Sequence, residues 1–161
     1  MQKILDQYGN VTIYMEQNHP SPMYHVDGGV EPNPYGNLAV LLGDDNLEEV
    51  MYNGGSQCVK VAHRDHGMCQ TNVFVDDQQG LEIARNIAAF TSVPLGDGPG
   101  LVPIFDGRLP DGSRVNGTIP PVSPDGPTLT IRKFRDDPLT MIDLIKFGTV
   151  NLRLAAMMWV W

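Results

Sequence analysis

The sequence predicts an α+β fold built around a mainly antiparallel sheet. Short β-prone runs separated by turn dipeptides recur along the chain, and amphipathic helical patterns occur between them without a regular strand–helix–strand repeat. Hydrophobic residues make up 42% of the 161 residues, which is enough for the packed core of one ordinary domain.

The first 36 residues predict one strand followed by a linker. Apolar and polar residues alternate over 10–16, so we expect a strand there. Residues 19–36 contain four prolines and three glycines, a composition typical of a loop or linker, with one short extended piece at 23–26. We therefore expect residues 1–36 to form an N-terminal strand and a Pro/Gly-rich linker segment.

A short helix is predicted between this linker and the next turn. The apolar run 37–42 leads to Asp44 and Asp45, either of which can cap a helix over 46–50. Two glutamates fall in the first turn of that helix, where its dipole favours negative charge. The Asn-Gly-Gly sequence at 53–55 indicates a turn after it.

A hairpin and a longer helix follow. Residues 57–63 and 68–75 predict the two strands of a hairpin around a turn at 64–67. Asp76 and Asp77 precede a helix whose apolar positions recur at helical spacing. These positions are Leu81, Ala84, Ile87, Ala88 and Thr91.

The next segment predicts a glycine-rich turn and three short strands. The turn covers 95–101, and the strands cover 102–108, 113–118 and 128–134. Together with the earlier hairpin, these strands supply most of the expected antiparallel sheet.

Two helices are predicted at the end of the sequence. An aspartate at 136–137 with Pro138 at the first helical position indicates the start of one helix, and Gly148 ends it. The apolar face of that helix carries Leu139, Ile142 and Ile145. Asn151 is expected to cap the last helix. The apolar run 154–161 has no polar tail, so we expect the sequence to be a fragment whose last helix packs against a later part of a longer protein.

Composition excludes several classes of protein. The net charge of −8 and the pI near 4.7 argue against general nucleic-acid binding. No run of about 18 apolar residues is present, so we expect no insertion into a membrane. Two cysteines and no secretory signal indicate a reducing, cytoplasmic setting.

Cys58, His63, His66 and Cys69 superficially resemble a zinc-binding set. In the expected hairpin, however, Cys58 pairs about four residues away from the partner of Cys69. At about 3.3 Å per residue, the two thiols lie more than about 10 Å apart, whereas zinc ligands lie about 2 Å from one metal ion. The spacing therefore favours a hairpin without zinc.

Two further motifs give little support to independent catalysis. The glycine-rich sequence 96–100 lacks the Gly-Lys-Ser/Thr ending and the following helix of a phosphate loop, and its proline removes an amide donor. Ser113, His63 and the nearby aspartates have no nucleophile elbow around them. We therefore expect a turn at 96–100 and no serine nucleophile.

Clustered positive charge is the most informative feature of the sequence. Five of the 11 Lys and Arg residues fall within 28 positions, namely Arg108, Arg114, Arg132, Lys133 and Arg135. A hairpin-like pairing of the strands that carry Arg114 and Arg132 would bring two guanidiniums near one end of a sheet, where they suit phosphate oxygens. The alternative is a solvated face of salt bridges. Its candidate acids are Asp106, Asp111, Asp125, Asp136 and Asp137.

The same stretch resembles a known family. The matching motifs are 108–116 (RLPDGSRVN), 119–121 (IPP), 125–127 (DGP), 129–134 (LTIRKF) and 139–149, with weaker matches at 47–50, 53–54, 63–67 and 71–72. From Leu47 to Trp161, the sequence is similar to the N-terminal domain of type II and type IV secretion system ATPases. Within that superfamily, it is most similar to the archaeal and tight-adherence pilus branch.

The resemblance implies a PAS-like N-terminal domain over 37–150, and over 151–161 the start of the segment that leads to a RecA-like ATPase domain. Such proteins are cytoplasmic homohexameric ATPases that use ATP and Mg²⁺ to drive assembly of a pilus, an archaellum or a secretion pseudopilus. The expected partners are the protein's own RecA-like domain, neighbouring subunits and a membrane platform protein. A cytoplasmic location at the inner face of the membrane follows from such partners.

The resemblance also implies roles for the clustered cations. Arg114 and Arg132 match arginines that reach the nucleotide phosphates when the two domains close, as arginine fingers do. Arg108, Lys133 and Arg135 would support the local field.

The sequence departs from the full family pattern. It has no phosphate-loop lysine, magnesium ligand or catalytic glutamate, so this chain alone is expected neither to bind ATP tightly nor to hydrolyse it. Met68 occupies a position where relatives often have an aromatic residue. The alternative from another class is a non-catalytic adaptor domain that docks a membrane platform or a partner subunit.

Overall fold

A computed structural model describes residues 2–29, 32–55, 57–134 and 139–160. The strands are β1 (Gln2–Tyr8), β2 (Val11–Glu16), β3 (Met23–Val26), β4 (Leu47–Tyr52), β5 (Cys58–His63), β6 (Gly67–Phe74), β7 (Ile104–Arg108), β8 (Arg114–Thr118) and β9 (Thr128–Arg132). The helices are α1 (Ala39–Leu42), α2 (Asp77–Phe90), α3 (Met141–Lys146) and α4 (Leu152–Val160), and a 3₁₀ turn (Gly36–Leu38) precedes α1.

In this described part of the chain, nine strands form one sheet in the order β1-β2-β3-β6-β5-β4-β9-β8-β7. Neighbouring strands are antiparallel except for β3 and β6, which are parallel. Helix α2 packs on one face of the sheet against β7 and β9, and α1 contacts β4. The predicted α+β class with a mainly antiparallel sheet is confirmed.

The core lies between this face of the sheet and α2. The helix begins with a capping box. The Asp76 side chain accepts the backbone N–H of Gln79, and the Gln79 side chain accepts the backbone N–H of Asp76. Its buried face carries Ile83, Ala84, Ile87 and Ala88. The strands contribute alternate buried residues, among them Val50, Tyr52, Val59, Val61, Val115, Leu129 and Ile131. This alternation leaves every second side chain of these strands on the opposite face.

The predicted helix over 46–50 is wrong, because residues 47–50 belong to the central strand β4 and Asn46 lies in the turn before it. This strand pairs with β5 on one side and β9 on the other, and its Leu47, Val50 and Tyr52 side chains are buried. Two-sided pairing and burial outweigh the local helical pattern. Asp44 does not cap a helix.

Other element predictions are confirmed. The hairpin at 57–75 is β5 and β6, the helix after Asp76 is α2, and the three strands over 102–134 are β7, β8 and β9. Asn151 accepts the Leu154 amide at 2.8 Å and so caps α4.

The predicted start of α3 is too early. Thr140 caps this helix through a capping box with Asp143, so the helix begins at Met141 and Leu139 precedes it. The expected cap at 136–137 with Pro138 lies outside the described residues. Gly148, with φ of 74°, follows the end of the helix as expected.

Strands β1 to β3 extend the sheet beyond β6. The expected strand over 10–16 is β2 and the expected extended piece at 23–26 is β3. No strand was predicted at β1, a mostly exposed edge strand without the alternation that a buried face produces. The Asn72 side chain continues the short β3–β6 ladder by bonding the backbone amide and carbonyl of Val26 at 2.9 and 3.0 Å. The boundaries at 36 and 150 stay predictions.

A half-buried carboxylate ties these strands to the loop before β4. Asp44 Oδ2 accepts the hydroxyls of Tyr24 at 2.6 Å and Tyr8 at 2.7 Å, and Oδ1 accepts the Asn46 amide at 2.9 Å. Burial alone would raise the pKa of Asp44, but these hydrogen bonds, with that of Tyr24 first, outweigh burial and lower the pKa. Burial and the carboxylate raise the pKa of both tyrosines.

His63 joins the same network in a fixed tautomer. Its Nδ1 accepts the backbone amides of Asp65 at 3.1 Å and His66 at 3.4 Å, so the ring proton is on Nε2. Nε2 then donates to the Tyr8 oxygen at 3.1 Å. Burial first, and then the neighbouring His66, lower the pKa of His63. The network therefore favours neutral His63 and ionised Asp44.

Among the described residues, no helix has both the length and the apolar character needed to span a bilayer.

Candidate functional site

Three arginines form a row across neighbouring strands. In the register of the sheet, Arg108 on β7 lies opposite Arg114 on β8, and Arg114 lies opposite Arg132 on β9. Strands in a sheet are about 4.8 Å apart, so three guanidinium-bearing positions are brought within a span of about 10 Å. We call these three residues the arginine row.

The arginine row lies on the face of the sheet opposite α2. Val115 and Ile131, the sequence neighbours of Arg114 and Arg132, are buried in the core, so the arginines point to the other face. Gly107 supports the same orientation on β7, because a Cβ built there would lie 2.2 Å from Thr91 at the end of α2. All three arginines are exposed.

The turn between β7 and β8 sets the register of the row. Leu109 donates to the Ser113 carbonyl at 2.8 Å, and Gly112 adopts a positive φ of 87° inside the turn. The buried Ser113 hydroxyl donates to Asp111 at 2.7 Å and accepts the Phe134 amide at 2.9 Å. The Asp-Gly-Ser sequence therefore fixes the β7–β8 turn and also holds the chain just after β9.

The three arginines of the row outnumber the acidic side chains beside them. Like charges directly opposite each other in a sheet destabilise it. Asp106 lies 3.8 Å from Arg114, but both side chains are at least 60% exposed, so solvent weakens this pair. Glu49 is opposite Arg132 in the register, yet neither Arg108 nor Arg132 forms an ion pair with a described residue. The row therefore has a surplus of guanidinium donors for an added anion.

The structure places Lys133 apart from this row. Its side chain is only 10% exposed, and its ammonium donates to the Asp44 carbonyl at 2.6 Å and lies 3.8 Å from Asp45. Burial lowers the pKa of Lys133, and Asp45 is the first of the neighbouring charges that oppose this effect. Arg135, the fifth member of the cluster in sequence, lies outside the described residues.

Arg64 is a further cation at this end of the sheet, and it lies far in sequence from the cluster at 108–135. It follows β5 directly and lines a cleft of about 220 Å³ together with Arg132 and Lys133. The remaining lining residues are Leu47, Glu48, Phe134 and Leu139. Only the strand order β5-β4-β9 brings Arg64 near Arg132, and the local sequence does not predict that order.

The cysteine and histidine set is divided between the two faces of the hairpin. Cys69 is buried in the core, whereas Cys58 Sγ contacts the Gln70 side chain at 3.7 Å on the other face. His63 is engaged with Tyr8. In the described ranges, no group of three or more His, Cys, Asp or Glu side chains is arranged to hold a metal ion.

The glycine-rich sequence 96–100 is a turn. The Gly96 amide donates to the Val102 carbonyl at 2.9 Å, and the Leu101 amide donates to the Gly98 carbonyl at 3.0 Å. These two backbone amides therefore donate to carbonyls of the turn itself.

Comparison with known proteins finds related sequences in an archaeon. The chain is 48% identical over 124 residues to the uncharacterized protein MJ0781 of Methanocaldococcus jannaschii, a match covering 77% of this chain and 17% of that protein. It is 39% identical over 126 residues to the uncharacterized protein MJ0900 of the same organism, covering 77% of this chain and 22% of that protein. The chain thus spans about a fifth of the length of these relatives. No protein-family model matches the chain.

A solved structure shares the fold. The crystal structure of the VirB11 ATPase from the Brucella suis type IV secretion system, in complex with sulphate, superimposes with a TM-score of 0.55 at 20% sequence identity. The match covers 72% of this chain and 34% of that chain. The α+β fold over most of this chain therefore resembles that of part of this secretion ATPase.

Proposed function

We propose that this chain is the N-terminal regulatory and oligomerisation domain of a secretion or pilus-assembly ATPase, and that it supplies arginines to the phosphates of a nucleotide held by another domain. The observation that carries the proposal is the arginine row, in which Arg108, Arg114 and Arg132 are directly opposite one another on the open face of the sheet. The fold shared with part of the VirB11 ATPase supports it.

The chemistry of the donors fits phosphate. A guanidinium keeps its charge at every accessible pH and presents planar paired N–H donors that match two oxygens of one phosphate group. During phosphoryl transfer, charge spreads over the equatorial oxygens of the transferred group, and arginines that contact those oxygens stabilise it. Arg114 and Arg132, on adjacent strands, can contact one group from two sides.

Magnesium and the other catalytic groups would come from elsewhere. A magnesium ion bound to ATP supplies charge neutralisation between its phosphates. The described residues include no group of three or more His, Cys, Asp or Glu side chains that could hold a metal ion. In this proposal, a RecA-like domain of the same protein therefore holds ATP and Mg²⁺, and this chain contributes only the arginines.

The exposed apolar residues of the last two helices support contact with such a domain. Ile142 and Phe147 in the α3 region are 64% and 68% exposed, and Leu152 and Trp159 on α4 are 73% and 82% exposed. Apolar side chains grouped in this way typically mark an interaction surface. In the proposed assembly, a homohexamer in the cytoplasm beside a membrane platform protein, closure of the two domains brings the arginine row to the nucleotide.

Arginine substitutions in the full-length ATPase test this proposal. We expect Arg114→Ala and Arg132→Ala to lower kcat for ATP by a factor of about 10³ or more each, as loss of an arginine finger does. Arg85→Ala on α2 removes an exposed cation from the covered side of the sheet and is the matched control, with turnover unchanged. Unchanged turnover in both row variants would contradict the proposal.

The adaptor function gives a different result in the same proteins. The exposed apolar surface of α3 and α4 also suits a partner protein. An adaptor would lose binding to its partner after changes in those helices, for example Trp159→Ala, while ATP turnover stayed the same in every arginine variant.

A further inference from the structure

The cleft beside Arg132 is also lined by two cations that lie outside the arginine row. It lies where β4 begins and where β5 and β9 end, and Arg64, Arg132 and Lys133 line it. The Lys133 amide donates to the Glu48 carbonyl at 2.9 Å, and the Arg64 amide donates to the Asn46 carbonyl at 3.0 Å. These backbone bonds fix the positions of Lys133 and Arg64, and the pairing of β9 with β4 fixes that of Arg132.

The balance of charge in the cleft is positive. Three cations and one acid, Glu48, contribute to its lining. The Lys133 ammonium already donates a hydrogen bond to the Asp44 carbonyl and lies 3.8 Å from the Asp45 carboxylate. Arg64 and Arg132 form no ion pair with any residue in the described ranges, which leaves their guanidiniums as the available donors.

The size and the rim of the cleft limit what fits. At about 220 Å³, the cleft is smaller than the 300 Å³ or more typical of pockets for drug-sized ligands, so it suits a small anion rather than a whole nucleotide. Leu47, Phe134 and Leu139 add apolar surface to the lining.

We propose that this cleft is a second oxyanion site, which shares Arg132 with the arginine row and in which Arg64 and Arg132 bind a phosphate or pyrophosphate group. Forked guanidinium donors with no described carboxylate partner match the oxygens of such a group. The site uses Arg64, which lies outside the arginine row. It does not depend on a second domain, so it is present in this 161-residue chain alone and goes beyond the proposed ATPase role.

Titration of the 161-residue chain with inorganic pyrophosphate at constant ionic strength tests the site. We expect the Arg64 Nε–H signal in ¹H–¹⁵N spectra to shift with saturation, and Arg64→Gln to weaken binding at least about fivefold. Arg64→Lys keeps the charge but loses the fork and should weaken binding by an intermediate factor. Arg85→Gln, which removes one exposed charge on α2, is the matched control and should change binding less than about twofold.

The outcomes separate this site from the arginine row and from non-specific attraction. Equal weakening by Arg64→Gln and Arg85→Gln, or no saturable binding by the unmodified chain, would overturn the proposal. Stronger weakening by Arg114→Gln than by Arg64→Gln would also overturn it, since the anion would then lie on the row. A parallel titration with inorganic phosphate shows whether one phosphate group is sufficient. None of these results depends on ATP turnover in a longer protein.

Discussion

Replacing Asp44 with asparagine removes the carboxylate that connects the N-terminal strands to the rest of the sheet. In the native protein, one carboxylate oxygen accepts both the Tyr24 hydroxyl at 2.6 Å and the Tyr8 hydroxyl at 2.7 Å. The other oxygen accepts the Asn46 amide at 2.9 Å. An asparagine side chain has only one oxygen, so in either orientation at least one of these three donors faces an NH₂ group.

The magnitude follows from the number and kind of hydrogen bonds. A hydrogen bond to a charged group contributes about 1.5–3 kcal/mol, and a buried donor left without an acceptor costs about 1–3 kcal/mol. Tyr24 is fully buried, whereas Asp44 itself is only half-buried, so solvent lowers the total. We expect Asp44→Asn to lower the free energy of unfolding by about 2–4 kcal/mol.

Urea unfolding followed by circular dichroism measures this loss. With a slope of about 2 kcal/mol/M, the urea midpoint should fall by about 1–2 M. Asp45→Asn is the matched control, because the Asp45 side chain is 97% exposed and its change should stay within about 0.5 kcal/mol. If Asp44→Asn were as mild as Asp45→Asn, the carboxylate would not stabilise the N-terminal strands as described.

Two further predictions concern packing and pH. Gly80→Ala should lower stability by about 1–3 kcal/mol in urea unfolding despite the better helix propensity of alanine, because a Cβ at Gly80 would lie 2.4 Å from the buried Tyr52 ring. Gly29→Ala, with open space around the added methyl, should be near neutral, and equal effects of the two substitutions would contradict this packing. The pKa of folded His63 is lowered, so below about pH 6.5 the unfolded state binds more protons, and stability should fall as the pH drops toward 5. His63→Asn should flatten this dependence, and an unchanged slope would show that His63 is not its source.

Local turn and cap chemistry made much of the fold predictable. The turn at 64–67, in which Gly67 has a φ of 66°, and the start of a helix after Asp76 each depend on a few consecutive residues, and the sequence predicted both correctly. The approach of Arg114 and Arg132 was also predictable, since β8 and β9 are consecutive strands that pair directly.

Strand order was the part that the local sequence could not supply. The strand β4 pairs with β9, about 80 positions later, and only this non-local pairing explains why residues 46–50 are not helical. The same pairing places Arg64 beside Arg132. Lys133 was grouped with the arginines by sequence, but alternation along an extended chain directs its side chain to the opposite side, toward Asp44.

The proposed role of Arg114 and Arg132 is tested most directly by a structure of the full-length protein with a non-hydrolysable ATP analogue bound. We expect guanidinium nitrogens of Arg114 and Arg132 to lie about 3 Å from phosphate oxygens of the analogue. A nucleotide bound in the second domain while the arginine row faces solvent or partner carboxylates, in every domain arrangement observed, would contradict it.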